Sequence, residues 1–536
     1  QGLVSPMRHA LPLLLLVACA DARDAGEQVV PAKQAFTSVH ATPFDFELDG
    51  KLVTDTEDPA TVRTLIKTQL LFTIGQLNGD RSVGRLGLLQ LSDVHATKIE
   101  LPPDDGGEPR PAHFEVRYHA TLPVAWAGAF APEHYTFKLP ARVSERDQLA
   151  FASKYGATCV DPTEAPAQVG NLFVVYRPEE PKCTFDAGDV VSITASVMPS
   201  TELTRGKYPE YRRVWQDGEL RAVAIFTREF EEGGDDDVGT RAYDDFVWHM
   251  HEYLGMVQPD AAKRYEPPDL PWSPSAAGAT SLRLAADLPD GRSMTIDMRL
   301  VNMDLASEGP AFDAWYDGVT PSADLVLYNG HAGLGSNVRS LMGKGSFRSG
   351  QYLVWFANGC DTLAYVDRTL IERRALLNPD DPAGTKYLDT VTNVMAGYFG
   401  DLEATAVTFL RAFVEVRYPE IGPKTYEQIL AEIEPTQVAV VTGEEDNVHE
   451  PLPPGAAPPG PPPPPGPLAK RDEKAADVET ETTTGASRSP ARTRKEAGGC
   501  ALSARSGQDF GLPTLAFLAA MLAVRRRRPR QERRPA

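Results

Sequence analysis

Two stretches, Ala323-Asp324-Leu325-Val326-Leu327-Tyr328-Asn329-Gly330-His331 and Tyr352-Leu353-Val354-Trp355-Phe356-Ala357-Asn358-Gly359-Cys360, decide the fold of this chain. Each is a continuous apolar run that closes on a glycine and then on a residue able to do chemistry. A run of this length suits a strand covered on both faces of a parallel sheet. Open α/β sheets place their working residues just beyond the carboxyl ends of the strands. The segment between the two runs is long enough for the crossover that parallel neighbours need. If the two strands are adjacent, an imidazole and a thiol meet at one edge of the sheet, as in a Cys–His nucleophile pair.

The surrounding sequence, residues 206–448, alternates strands with helices, as a layered α/β unit does. Residues 220–226 and 293–301 predict strands. Tyr243, Phe246, Val247, Met250 and Leu254 fall at helical spacing, and 311–316 predicts a short helix. Beyond Cys360, residues 362–373 predict a helix opened by Asp361 or Thr362, whose amino terminus would lower the thiol pKa. Residues 387–416 and 425–434 also read as helical, and 437–441 as a last strand. The expected fold class is α/β, a mostly parallel sheet flanked by helices and preceded by a smaller β-rich α+β domain at 35–205. In that smaller domain 113–126, 171–176 and 190–197 predict strands. Residues 61–77 predict a helix, and Ser144 opens another through a capping box.

Here a resemblance can be named. A His ending one strand and a Cys ending the next, in Asn329-Gly330-His331-Ala332-Gly333 and Ala357-Asn358-Gly359-Cys360-Asp361, is similar to the caspase-like cysteine peptidases (caspases, legumains, gingipains and clostripain). The resemblance implies a thiolate attack by Cys360 on a peptide carbonyl, with His331 as general acid and base. It also implies an oxyanion site made from the backbone N–H of Cys360 and of Ala332 or Gly333. No cofactor and no metal are implied.

The chain ends carry a different message. From Met7, Arg8 precedes an apolar run and Leu16-Val17-Ala18-Cys19, too short to span a bilayer. This resembles the lipobox of bacterial lipoproteins and implies lipid attachment at Cys19. Ordinary signal cleavage after Ala20 or Ala22 is the alternative, and either way 1–22 is an export segment. Gly498-Gly499-Cys500, a polar spacer, an apolar stretch and the cluster Arg525 to Arg528 resemble the myxobacterial MYXO-CTERM sorting tail. That resemblance implies processing near Gly499 and Cys500 and display at the surface. A plain carboxy-terminal membrane anchor at 500–536 is the competing reading. Residues 449–499 begin with a proline-rich stretch, an extended stalk, and continue as a polar segment of disordered composition.

Five cysteines and a net charge of −20 complete the reading. Cys159 and Cys183, close in sequence in an exported β-rich region, are expected to pair. That leaves Cys360 as the odd thiol. The acidic balance lacks the basic stripe of nucleic-acid binding. Expected partners are therefore a peptide or protein substrate and the membrane, with no nucleic acid; the expected location is the outer membrane or cell surface, lipid-anchored. His249 and His251, two apart on a helix, point to different faces. Asp235-Asp236-Asp237 and Asp380-Asp381 read as solvated loop acids, and Gly333-Leu334-Gly335-Ser336 lacks the lysine and spacing of a phosphate loop. The functional expectation is an exported, surface-anchored cysteine peptidase. The alternative is a non-catalytic surface lipoprotein using the same fold for binding or structure.

Overall fold

The two longest strands of the amino-terminal region alternate apolar and polar side chains, so each can lay one face on a core. The computed structural model describes residues 41–99, 112–127, 131–200, 207–231, 237–257, 262–266, 268, 273–416, 422–433 and 438–443. The expected export segment with Cys19, the stalk, and the tail with Gly499 and Cys500 lie outside them. The first sheet holds β1 (Ala41–Thr54), β2 (Val83–Gly84), β3 (Gln90–Ile99), β4 (His113–Ala127), β5 (His134–Pro140) and β6 (Val190–Pro199). All pairings are antiparallel, in the order β2-β4-β1-β6-β5 with β3 also on β4. Helix Pro59–Gly79 starts at Asp58, whose carboxylate accepts the Thr61 N–H, and has proline at its first turn. It buries Ile66, Leu70, Ile74 and Leu77. Helix Glu145–Tyr155 carries the expected capping box, Ser144 with Asp147.

The second sheet holds β7 (Glu219–Thr227), β8 (Ala262–Glu266), β9 (Ser281–Asp287), β10 (Ser293–Val301), β11 (Leu325–Asn329), β12 (Leu353–Asn358), β13 (Leu388–Asn393) and β14 (Ala439–Thr442). Their order is β14-β13-β12-β11-β7-β10-β9-β8. The central neighbours β13, β12, β11, β7 and β10 run parallel, and antiparallel strands close both edges. The protein is thus a mixed α/β structure with one mixed and one antiparallel sheet. Every residue of β11 and β12 is buried, because helices cover both faces. Ala224, Phe226, Leu327 and Phe356 pack with Tyr243, Phe246 and Phe409 of helices Val238–Val257 and Leu402–Glu415. Ile225, Val326, Tyr328 and Trp355 face the layer of Phe312, Tyr316, Val338 and Leu341 from helices Pro310–Val319 and Ser336–Gly343. Each such side chain contributes about 1.5–3 kcal/mol by leaving water.

The apolar cluster on that second face continues into Leu70, Phe72, Val116 and Leu122 of the first region. The change of pattern near residue 206 therefore separates two sheets that share a core.

Three expectations are corrected. Residues 171–176 form the short helix Leu172–Val175, since Phe173 docks on Phe72 and Tyr176 makes an isolated bridge to Val160. Tertiary packing overrides strand propensity there. Residues 387–416 are not one helix: Leu388–Asn393 is β13 and the helix begins at Leu402. Leu388, Val391 and Met395 mimic helical spacing, but Thr390-Val391-Thr392 is β-branched and pairs with β12. Finally, 362–373 breaks into Thr362–Tyr365 and Thr369–Leu377. Val366 is extended between them, its carbonyl packed against Gly87 of the first region. Among the described residues no helix is long and apolar enough to cross a membrane.

The expected disulfide joins Cys159 to Cys183 and closes a loop with a sequence separation of 24 residues. Replacing both by alanine is expected to cost about 3 kcal/mol, read as a lower denaturant midpoint with an unchanged far-UV spectrum.

Candidate functional site

The site begins with register. β11 and β12 pair in parallel with Asn329 opposite Asn358. The next residues, Gly330 and Gly359, continue side by side: Gly330 donates its N–H to the Asn358 carbonyl at 3.0 Å. A Cβ on Gly359 would lie 2.3 Å from the Gly330 carbonyl oxygen, so no larger residue fits. His331 and Cys360 therefore leave the sheet at the carboxyl ends of adjacent parallel strands. A single loop then touches both. The Gly397 carbonyl oxygen lies 3.3 Å from Cys360 Sγ, and the Phe399 ring meets the His331 imidazole edge-on at 4.6 Å.

Beneath them runs a chain of buried amides that sequence reasoning missed. Asn358 Nδ2 donates to Asn329 Oδ1 at 2.9 Å, and Asn393 Nδ2 donates to Asn358 Oδ1 at 3.1 Å. The three asparagines end β11, β12 and β13 and are at most 1% exposed. The repeated Asn-Gly before His331 and Cys360 was the available signal, because a buried strand has no reason to end twice on an amide unless the amides pair.

Four hydrogen bonds hold His331. Its N–H donates to Thr227 Oγ1 at 3.2 Å, and its carbonyl accepts from Asn337 Nδ2 at 2.9 Å and from the Tyr328 hydroxyl. Imidazole Nε2 lies 3.0 Å from the Glu229 carbonyl oxygen. A carbonyl can only accept, so Nε2 carries the proton and Nδ1 is left as the basic nitrogen. Burial pushes the imidazole pKa down, opposed by the bond to Glu229 and the field of Asp237. At neutral pH the ring is neutral, the state a general base requires.

Cys360 is 9% exposed. The helix expected behind it is a single turn, Thr362–Tyr365, with no side-chain cap, and offers little dipole support. Asp361 has a left-handed backbone (φ 48°, ψ 35°) and is 1% exposed. Its Oδ1 accepts from Asn78 Nδ2 of helix Pro59–Gly79 at 3.0 Å, while Oδ2 is buried without a hydrogen-bond partner. Burial raises its pKa to about 7, against the opposing Asn78 bond and Arg177. The carboxyl therefore spends much of its time uncharged near neutrality, which weakens its opposition to a thiolate next door. The expected oxyanion donors sit at a sharp turn: Ala332 is helical, and Gly333, Leu334 and Gly335 are left-handed (φ 59°, 53° and 86°).

The remaining candidates disperse. His249 pairs with Glu403 at 2.7 Å and His251 with the Tyr265 hydroxyl, on different faces. Asp380 binds Lys386 and Tyr387 at 2.8 and 2.6 Å. Asp381 is buried, accepting from the Gly384 N–H, and so is not a solvated acid. Neither is Asp237, which is 2% exposed; Asp235 and Asp236 lie outside the described residues. Phe230 and Tyr398 are exposed large apolar side chains; one follows Glu229, the other stands between Gly397 and Phe399. No family model, no curated protein and no solved structure matches this chain.

Asn358→Ala is expected to destabilise the protein by about 2–4 kcal/mol, because it strands two buried amide groups; equilibrium unfolding measures this. Asp361 has a sign of its own. Its folded pKa lies near 7 and its unfolded value near 3.8, so the folded state binds more protons and stability falls as pH rises between these values. Asp361→Asn is expected to remove a decline on the order of a few kcal/mol between pH 4 and 8 (roughly three units at 1.4 kcal/mol each), read from unfolding curves across that range.

Proposed function

We propose that the second sheet is a caspase-like peptidase domain and that the protein cleaves peptide bonds through Cys360 and His331. The observation that carries this reading is the parallel pairing of β11 with β12, in register to their last residues, Asn329 and Asn358. That pairing delivers imidazole and sulfur to one border of the sheet, with Nε2 already committed to the Glu229 carbonyl. Nδ1 of His331 takes the thiol proton as sulfur attacks the peptide carbonyl carbon, and the oxyanion meets the N–H groups of Cys360 and of Ala332 or Gly333. The same imidazolium protonates the departing amine, and water then hydrolyses the thioester. Phe230 and Tyr398 suit an apolar side chain of the bound peptide.

We further propose that the protein is exported and held at the outer membrane or cell surface, through lipid at Cys19, a tail processed near Gly499 and Cys500, or both. Mass spectrometry of the mature ends tests this.

One observation favours the non-catalytic alternative, a surface lipoprotein that binds without cleaving: His331 is 3% and Cys360 9% exposed. Turnover of broad peptide libraries under a thiol reductant separates the two. The peptidase reading expects Cys360→Ala and His331→Ala to lose at least about a thousandfold in kcat/KM. Equal turnover by wild type and Cys360→Ala would eliminate it.

A further inference from the structure

A single buried carboxylate ties together the segments that aim His331. Asp237 Oδ2 accepts the backbone N–H of Glu229 and of Phe230, both at 2.9 Å. Its Oδ1 accepts the N–H of Thr240 at 2.7 Å, which makes Asp237 the amino-terminal cap of helix Val238–Val257. Glu229 is therefore pinned through its N–H to Asp237 and through its carbonyl to His331 Nε2. The helix start is pressed against the same peptide. A Cβ on Gly239 would lie 2.1 Å from the Thr227 carbonyl oxygen and 3.0 Å from both the Glu229 nitrogen and the Phe399 ring. Thr227 in turn accepts the His331 N–H.

We propose that Asp237 is a positioning residue for His331: it fixes the Glu229 peptide whose carbonyl selects the Nε2–H tautomer, and so keeps Nδ1 basic and turned to the reaction. The Glu229 carbonyl and the Phe230 N–H belong to one planar trans peptide and point to opposite sides of it, so a carboxylate gripping that N–H orients the carbonyl. Three charge-assisted bonds from one buried anion make that grip strong. The carboxylate also acts at a distance. Of the charged groups on the segments packed around the imidazole (Glu229 and Arg241 beside Asp237, Asp361 after Cys360, Asp401 after Phe399), Asp237 is the one whose field favours the charged imidazole. The arrangement does the work of the carboxylate in a Cys–His–Asp set, but through a peptide instead of direct contact. A bare helix cap would have no reason to grip the Glu229 and Phe230 amides as well.

The inference rests on the reading of His331 as the general base, yet its test does not need turnover. The experiment is a titration of His331 in the full chain by imidazole nitrogen NMR, comparing wild type, Asp237→Asn and Asp237→Ser. Serine keeps a cap for Thr240 while losing the charge and the paired grip, so it covers the case where the asparagine variant fails to fold. The expected result is a His331 midpoint shifted downward in the variants, with a loss of the pure Nε2–H signature. Under reductant, kcat should fall about tenfold or more with KM within about twofold, since orientation and not binding is lost. A folded variant with an unchanged midpoint and tautomer overturns the inference, whatever its thermal stability. If the midpoint and tautomer shift but Cys360→Ala leaves turnover untouched, the peptidase reading fails and the positioning role stands.

Discussion

The architecture depends on the lateral register of three parallel strand ends, and a ladder of buried amides secures it. Asn329, Asn358 and Asn393 exchange hydrogen bonds across β11, β12 and β13, all three buried from solvent. A slip of one strand by one residue would turn its amide to the opposite face and strand the polar atoms it had paired with, at about 1–3 kcal/mol for each. The cost of misalignment therefore far exceeds what any single apolar contact in these strands returns. Because the ladder stands directly beneath Gly330 and Gly359, the same bonds that align the sheet align His331 with Cys360.

Above the ladder, two different supports meet. His331 belongs wholly to the second sheet: Thr227, Glu229 and Asn337 hold it, and Phe399 covers it. Cys360 is followed by a turn that belongs to both sheets. Thr362 bonds the Ala357 carbonyl and the Asn393 N–H on the α/β side. Asp361 reaches Asn78, and Val366 abuts Gly87 on the other. The amino-terminal region is thus a structural support for the cysteine turn as well as a neighbour. Its grip runs through a carboxyl whose pKa burial raises to about 7.

Much of this was legible in the sequence, and the reason is physical. Residues 323–330 and 352–359 lack alternation because helices cover both faces, and that absence is what marks a central parallel strand. The capping box at Ser144 and the pairing of Cys159 with Cys183 followed from local chemistry. What failed was non-local. β13 was hidden by apolar residues that mimic a helical period, and 171–176 became helical through docking on Phe72. Asp237 looked like one of three loop acids; its burial depends on amides of a strand end that folding brings to it. The left-handed Asp361 and the extended Val366, which break the expected helix, answer to Asn78 and Gly87, residues of the first sheet that no local pattern links to them.

The central claim is that the imidazole and the sulfur act on each other. The most direct measurement is the pH dependence of alkylation at Cys360 by iodoacetamide after reduction, followed by peptide mass mapping in wild type and His331→Ala. The account predicts a thiolate that forms in the wild type below the ordinary thiol value near 8.5, and whose titration moves upward when the imidazole is removed. Superimposable profiles, or a Cys360 that resists alkylation in both proteins while folded, would contradict it.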